Sequence, residues 1–268
     1  MTDTAIAIVK RLRAAGCVFA EDEAALLMAE AESPDELDAM VDRRVSGLPL
    51  EHILGWAQFC GLRIAVEPGV FVPRHRTEFL AQQSIELATA ALVGRTTSGE
   101  APVVVDLCCG AGAIGAAVIA QVPGADVFAA DIDPAAVHSA RLNIPNGQVY
   151  EGDLFEALPP QLAGRVAVLV ANTPYVPTEA IALMPPEARL HEARFALDGG
   201  LDGLDIQRRV AAGAAAWLRP GGHVLVEVSD EQASHSAAVF ESYGMPARIV
   251  SSEELYATVV VATRPAVG

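Results

Sequence analysis

From Pro102 onward the chain alternates short apolar runs of strand character with longer runs of helical spacing, and no other feature narrows the fold as much. The strand-like runs are Val103–Leu107, Asp126–Ala130, Gln148–Tyr150, Val166–Ala171, His223–Val228, Ala247–Val250 and Ala257–Ala262. Between them, Ala113–Gln121, Pro134–Leu142, Leu204–Leu218 and Glu231–Tyr243 repeat apolar residues at helical intervals. Such alternation predicts βαβ units and a mainly parallel sheet covered by helices. No helical run separates the last two strands, so they are expected as an antiparallel pair at the sheet edge. The expectation is a mixed seven-stranded α/β sheet.

Ahead of this block, Thr4 to Val45 reads as helices: Ile6, Val9 and Leu12; Ala24, Leu27 and Met28; Leu37, Met40 and Val41. Ser33-Pro34-Asp35-Glu36 has the order of a helix start, with Ser at the N-cap, Pro in the first turn and acids following. No catalytic cluster lies in this small helical region. Gly47-Leu48-Pro49-Leu50 breaks the helices, and Phe59 to Pro73 alternates apolar and polar residues around Glu67-Pro68-Gly69. That pattern predicts a β-hairpin linker, placed to lay Phe71 over a neighbouring site. Thr77 to Val93 returns to helical spacing, and Gly94 to Gly99 reads as a surface loop.

Hydrophobic residues make up 52% of the 268, enough for a sizeable core. No apolar run reaches the roughly 18 residues of a membrane span, and Met1-Thr2-Asp3-Thr4 lacks the basic-then-apolar layout of a secretion signal, so a soluble cytoplasmic protein is expected. Cys17, Cys60, Cys108 and Cys109 show no paired framework; free thiols and no structural metal are expected. A net charge of −16 disfavours a partner held mainly through phosphates, which excludes direct nucleic-acid binding as the expected role.

The first strand-like run leads into Asp106-Leu107-Cys108-Cys109-Gly110-Ala111-Gly112-Ala113-Ile114-Gly115, a GxGxxG between a strand and a helix. Asp131, closing the second strand, is placed to hold ribose hydroxyls. By itself this favours NAD or FAD. Asp106, however, puts a carboxylate where a pyrophosphate would be repelled and an ammonium attracted. That selects S-adenosylmethionine. Asp153, after the third strand, can accept a hydrogen bond from an adenine amino group. The candidate cofactor residues are Asp106, Cys108, Gly110, Gly112, Asp131, Ile132, Asp153, Leu154 and Asn172; Gly115 is expected to serve close helix–sheet packing instead.

The fourth strand, Val166–Ala171, stops at Asn172-Thr173-Pro174-Tyr175. Methyl transfer from a sulfonium needs a nucleophile held in line, and an amide nitrogen is poor because its lone pair is delocalised. A site helps by accepting both N–H bonds, and the Asn172 side chain and Thr173 carbonyl are suitable acceptors. Pro174 stiffens the turn and Tyr175 offers a ring face. Asn172, Thr173, Pro174 and Tyr175 are thus the catalytic candidates. Phe71, Arg74, Asn172, Tyr175 and Glu227 are the substrate-binding ones.

Across about Arg43 to Gln232 the chain resembles the HemK/PrmC-type protein-(glutamine-N5) methyltransferases. The matching pieces are Arg44-Val45-Ser46-Gly47-Leu48-Pro49-Leu50-Glu51-His52-Ile53-Leu54-Gly55, Val70-Phe71-Val72-Pro73-Arg74 with Thr77-Glu78, the glycine loop, and Pro185-Pro186-Glu187-Ala188-Arg189-Leu190-His191-Glu192. The most specific are Ala196-Leu197-Asp198-Gly199-Gly200-Leu201-Asp202-Gly203-Leu204 and Pro220-Gly221-Gly222. The resemblance implies a class I, Rossmann-like S-adenosylmethionine methyltransferase. Residues 1–74 would be a helical substrate-recognition domain plus hairpin linker, and 75–268 the cofactor-binding domain. The hairpin would close over the substrate, Asp131 and Asp153 would bind ribose and adenine, and Asn172 with Tyr175 would receive the amide of a protein glutamine. Two departures from the family pattern mark a divergent paralogue: Thr173 stands for the first proline of Asn-Pro-Pro-Tyr, and Pro73-Arg74-His75-Arg76-Thr77-Glu78 for Pro-Arg-Pro-Glu-Thr-Glu. The alternative acceptor is a small metabolite, such as the amide or guanidino nitrogen of an amino acid like arginine. His191 and Glu192 are expected in a loop closing the pocket, His223 in a structural place, and Glu227 and Asp230 at the ligand edge of the sheet, either holding a cationic amine or guanidinium or, the favoured reading, solvating the rim.

Overall fold

The computed structural model describes residues 3–94, 100–145 and 147–266. Most of the loop expected at Gly94 to Gly99 lies outside the described residues, as do Met1 and Thr2. Four helices open the chain: α1 (Asp3–Ala14), α2 (Ala20–Glu30), α3 (Pro34–Val45) and α4 (Leu50–Leu54). They close on a core of their own that includes Leu12, Leu27, Met40, Val41 and Ile53. Ser33 caps α3 as expected: its hydroxyl accepts from the Glu36 N–H at 3.2 Å, and the Glu36 carboxylate accepts from the Glu32 N–H at 2.8 Å. Near the other end of α3, buried Arg44 pairs with Glu23 at 2.6 Å and with Glu187 at 2.6 Å, far along the chain. This guanidinium fastens the helical region to the domain that follows.

The hairpin consists of β1 (Trp56–Phe59) and β2 (Leu62–Ala65). Its turn is Cys60-Gly61, both at positive φ (47° and 78°), which suits the right-handed twist of a two-residue hairpin loop. This corrects the expectation that Glu67-Pro68-Gly69 forms the apex: that tripeptide turns the chain after the hairpin, and Phe71 sits in the following irregular segment. A hairpin is present, but both strands lie earlier than the alternation from Phe59 to Pro73 placed them, because Pro-Gly was a stronger turn signal than Cys-Gly. Phe59, Ile64, Val66, Val70 and Val72 pack into the same apolar cluster as the main sheet.

The remaining elements are α5 (Glu78–Val93), β3 (Val103–Leu107), α6 (Ala113–Gln121), β4 (Asp126–Asp131), α7 (Pro134–Asn143), β5 (Gln148–Glu151), β6 (Val166–Ala171), α8 (Pro186–His191), α9 (Asp205–Trp217), β7 (Leu218–Val228), α10 (Ala233–Ser242), β8 (Ala247–Ser252) and β9 (Ala257–Thr263). The sheet order is β5-β4-β3-β6-β7-β9-β8. Its first five strands are parallel, and β9 is antiparallel to both neighbours. Every residue of β3 and β6 is buried, because α5, α6 and α7 cover one face while α9 and α10 cover the other. The chain runs outward through β3, β4 and β5, then returns to place β6 beside β3. At that reversal the connections diverge, leaving a crevice at the carboxyl ends of the two strands. Among the described residues no helix is long and apolar enough to cross a membrane, and all four cysteines are free.

Candidate active site

The crevice is an open pocket, with about 980 Å³ of free space when the solvent at its mouth is included. Its first wall is the turn after β3. Cys108, Gly110 and Gly112 all take positive φ (54°, 53° and 75°). At Gly112 a side chain is excluded twice over, since a Cβ would also stand 3.2 Å from the Ala140 Cα and 2.9 Å from the Ile144 side chain. Gly115 gives its N–H to Asp106 Oδ2 at 3.0 Å, and a Cβ there would meet Ile144 at 2.8 Å, so its role is packing, as expected. The Asp131 carboxylate ties the turn to the end of β4, accepting from the N–H groups of Gly110 (2.8 Å) and Asp133 (2.9 Å). Burial raises its pKa above the ordinary aspartate range, making it a weaker acid. Beside it the exposed Ile132 presents an apolar face to the pocket.

The second wall is Asn172-Thr173-Pro174-Tyr175-Val176, directly beyond β6. Asn172 Oδ1 and Thr173 Oγ1 are buried and without a hydrogen-bond partner among the described residues. Buried polar atoms are rarely left unpaired, so both atoms are open to a ligand. The turn is braced by the stretch 197–204. Val176 N–H bonds to Leu197 O, Gly199 N–H to Val176 O, and Gln232 Nε2 to Tyr175 O at 2.9 Å. A Cβ on Gly199 would stand 2.7 Å from Pro174 O, and one on Gly203 would stand 2.2 Å from Tyr175 O. Gly199 and Gly203 are therefore needed because backbone lies against backbone, whereas at Gly200 a Cβ would run into the Asp205 side chain.

Phe59, Phe71, Pro73, Arg74, Arg76 and Thr77 form the third wall. The Arg74 guanidinium lies 4.7 Å from the Phe71 ring centre and bonds both oxygens of buried Glu192 at 2.6 Å. Glu192 also accepts from the Val72 N–H at 3.3 Å. His191 and Glu192, expected in a loop closing the pocket, lie instead at the end of α8 and outside the pocket lining, where Glu192 anchors Arg74 from behind. Tyr175 donates its hydroxyl to Glu227 Oε1 at 2.8 Å; burial, reinforced by that carboxylate, pushes the phenol well above its usual range. His223 sits on β7, its Nδ1 2.9 Å from the Thr263 hydroxyl.

Of the residues singled out from sequence, Phe71, Arg74, Cys108, Gly110, Asp131, Ile132, Asn172, Thr173, Pro174 and Tyr175 line this one pocket. Asp106, Gly112, Asp153, Leu154 and Glu227 do not. Asp106 is enclosed behind the turn, where burial pushes its carboxyl up to about 7, and it organises the loop rather than facing the pocket. Asp153 pairs with Arg209 at 2.7 Å, and Leu154 is buried beside it at a φ of 49°. Glu227 is not a solvated rim residue: at 2% exposure it lies behind Tyr175. Asp230 is exposed and accepts the Thr258 hydroxyl. Met184 and Phe195 line the pocket unannounced, since they come from a segment without strand or helix periodicity.

A carboxylate at the end of β4, an apolar face beside it and an unpaired amide oxygen across the cleft form a donor set that fits S-adenosylmethionine. The methyltransferase small domain family matches residues 63–201. The release factor glutamine methyltransferase of Geobacter sulfurreducens is 36% identical over 219 residues, 79% of this chain and 72% of that protein. A 4-amino-L-phenylalanine/4-methylamino-L-phenylalanine methyltransferase of Streptomyces pristinaespiralis is 37% identical over 206 residues, 76% and 69% of the two chains. In fold alone, a methyltransferase from Pyrococcus furiosus superposes with a TM-score of 0.55 at 15% identity, covering 84% of this chain and 97% of that one. On the extent of the sequence match and the methyltransferase domain within it, the chain belongs to the release factor glutamine methyltransferase family of S-adenosylmethionine-dependent enzymes.

Proposed function

We propose that this enzyme methylates the side-chain amide nitrogen of a glutamine in a peptide-chain release factor. The observation that carries the reading is the buried, unpartnered Oδ1 of Asn172, facing the pocket formed by the glycine loop and the Phe71 segment. S-adenosylmethionine supplies an electrophilic methyl group when bound. Asp131 would hold its ribose, Ile132 would flank its adenine, and Cys108 and Gly110 would border its methionine end. Asn172 Oδ1 accepts one amide N–H and the turn's backbone carbonyl the other, which directs the nitrogen lone pair and stabilises positive charge as it forms. Tyr175 and Phe71 enclose the planar amide and exclude water. No strong base is required, because the nitrogen becomes acidic once methylated. The α1–α4 domain, tied through Arg44 to Glu187 in the first turn of α8, would hold the rest of the protein substrate. A cytoplasmic place of action suits such a substrate.

The test offers methyl-labelled S-adenosylmethionine, with wild type or Asn172→Ala enzyme, to purified release factor and to the low-mass fraction of a cell extract. The second arm matters because the Streptomyces relative is named for an amino acid bearing an amine. Label on a release-factor glutamine, lost with Asn172→Ala, is the expected result. Label in the low-mass fraction alone would overturn it.

A further inference from the structure

The two arginines of the third wall are engaged differently. Arg74 presents its guanidinium to both oxygens of Glu192, a carboxylate with no exposed side-chain surface. Arg76 meets Glu227 Oε1 most closely through Nε, at 3.2 Å, and its side chain is half exposed at 49%. Its Cζ lies 5.6 Å from the Tyr175 ring centre, so the guanidinium stands over the acceptor turn. Neither Nη atom of Arg76 has a hydrogen-bond partner among the described residues. Beneath it, Glu227 is buried, with Oε1 shared between the Tyr175 hydroxyl and Arg76 and with Oε2 unpartnered.

The pocket is therefore bipolar. At Asn172 it offers an acceptor, and above Tyr175 it offers a fork of free donors on a fixed positive charge. A guanidinium edge is shaped for a carboxylate, which it can meet with two parallel hydrogen bonds. Glu227 cannot take that place, because it meets the guanidinium from the Nε side and holds it over the ring. We propose that Arg76 is a specificity-determining residue that binds a carboxylate of the acceptor molecule, close to the nitrogen being methylated. The proposal rests on the reading of this pocket as the acceptor site. The carboxylate comes either from an acidic residue beside the glutamine in a peptide or from the free end of an amino acid, and the same contact serves both.

The test uses the full chain and two matched pairs of acceptors: a glutamine peptide with an adjacent Asp against the same peptide with Asn, and N-acetyl-L-glutamine against its methyl ester. Wild type is expected to show a KM about tenfold lower for the carboxylate member of at least one pair, the scale of a charge-assisted contact at a half-exposed site. Whichever pair shows it identifies the source. Arg76→Gln should bring that ratio to about one, and Arg76→Lys should keep part of it. The double variant Arg76→Gln/Glu227→Gln, which leaves no buried carboxylate unpaired, should repeat the Arg76→Gln result. No preference in wild type, or a preference that persists in Arg76→Gln, overturns the proposal. So does weakened S-adenosylhomocysteine binding with an unchanged acceptor ratio, which would assign Arg76 to the cofactor's carboxylate. If no glutamine is methylated at all, the functional reading fails separately. Calorimetric binding of the same pairs to the S-adenosylhomocysteine-loaded enzyme then decides: a carboxylate preference lost in Arg76→Gln sustains the role of Arg76, and equal or absent binding removes it.

Discussion

The glycine-loop side of the pocket comes from two short stretches, residues 108–114 and 131–132, whereas the acceptor side draws on residues 59–77, 172–176, 184 and 195–197. On the first side the carboxylates bond to nearby backbone: Asp131 takes two N–H groups and Asp106 Oδ2 a third, with Asp106 Oδ1 enclosed behind the loop and unpaired among the described residues. On the second side the walls are held by side-chain pairs between distant positions, Arg74 with Glu192 and Arg76 with Glu227, and buried oxygens are left open on Asn172 and Thr173. The first side is thus a property of backbone conformation and is preorganised in a single loop. The second is a property of the tertiary assembly, so it is where substitution can change the acceptor without changing the donor.

That contrast can be broken most directly at Asn172. Asn172→Ala should lower kcat by about 10²–10³, comparable to removing a preorganised hydrogen-bonding group in other active sites. Its unfolding midpoint should stay near wild type, and an unimpaired single-turnover rate would remove Asn172 from the chemistry. Next comes Glu192→Ala, which strips Arg74 and the Val72 N–H of their partner. A stability loss of about 2–3 kcal/mol in urea unfolding is expected, below the range for fully buried pairs because Arg74 is partly exposed. The KM for acceptor should rise while S-adenosylhomocysteine affinity, measured by calorimetry, holds; a parallel fall in that affinity would show that the two sides are not independent.

On the glycine-loop side the expected effects are smaller and appear in stability. The Asp106 carboxyl is pushed up to about 7 in the folded protein, from 3.8 for an unburied aspartate. Between those pH values the folded state keeps a proton that the unfolded chain releases, so this contribution is full below about pH 4 and is lost as pH rises towards 7. Asp106→Asn should be free of that loss, flattening the stability profile by about 1–3 kcal/mol across the window. Parallel profiles for the two proteins would contradict the sign. Smallest of all, Gly115→Ala pushes against the end of the Ile144 side chain. A cost of about 1 kcal/mol with unchanged cofactor affinity is expected; a large loss of affinity would return Gly115 to the ligand.

Much of the framework was legible before folding. The ends of α6 and β6 coincide with the runs read from periodicity, and Ser33 caps α3 as its place before Pro34 indicates. The antiparallel β8–β9 pair followed from the missing helix between those runs. The hairpin apex was misplaced because Cys60 adopts a positive φ that its residue type does not advertise. Glu227 looked like a rim residue because its position at a strand end carries no record of Arg76 and Tyr175 stacked above it. Asp106, too, looked like a ligand group until the loop was seen to fold over it.

By itself, then, the sequence determined whatever rests on local conformation: the alternating strands and helices, the positive-φ glycine turn, the Asn-Thr-Pro-Tyr strand end and the family they carry. Tertiary structure alone decided which acids face the pocket, which arginine is tied to a buried carboxylate through Nη2 and which is not, and where the acceptor turn is braced. The physical reason is range. Backbone preferences and hydrophobic periodicity act between neighbours, while Arg74 finds Glu192, and Gln232 finds Tyr175, across separations that only packing of the whole chain closes.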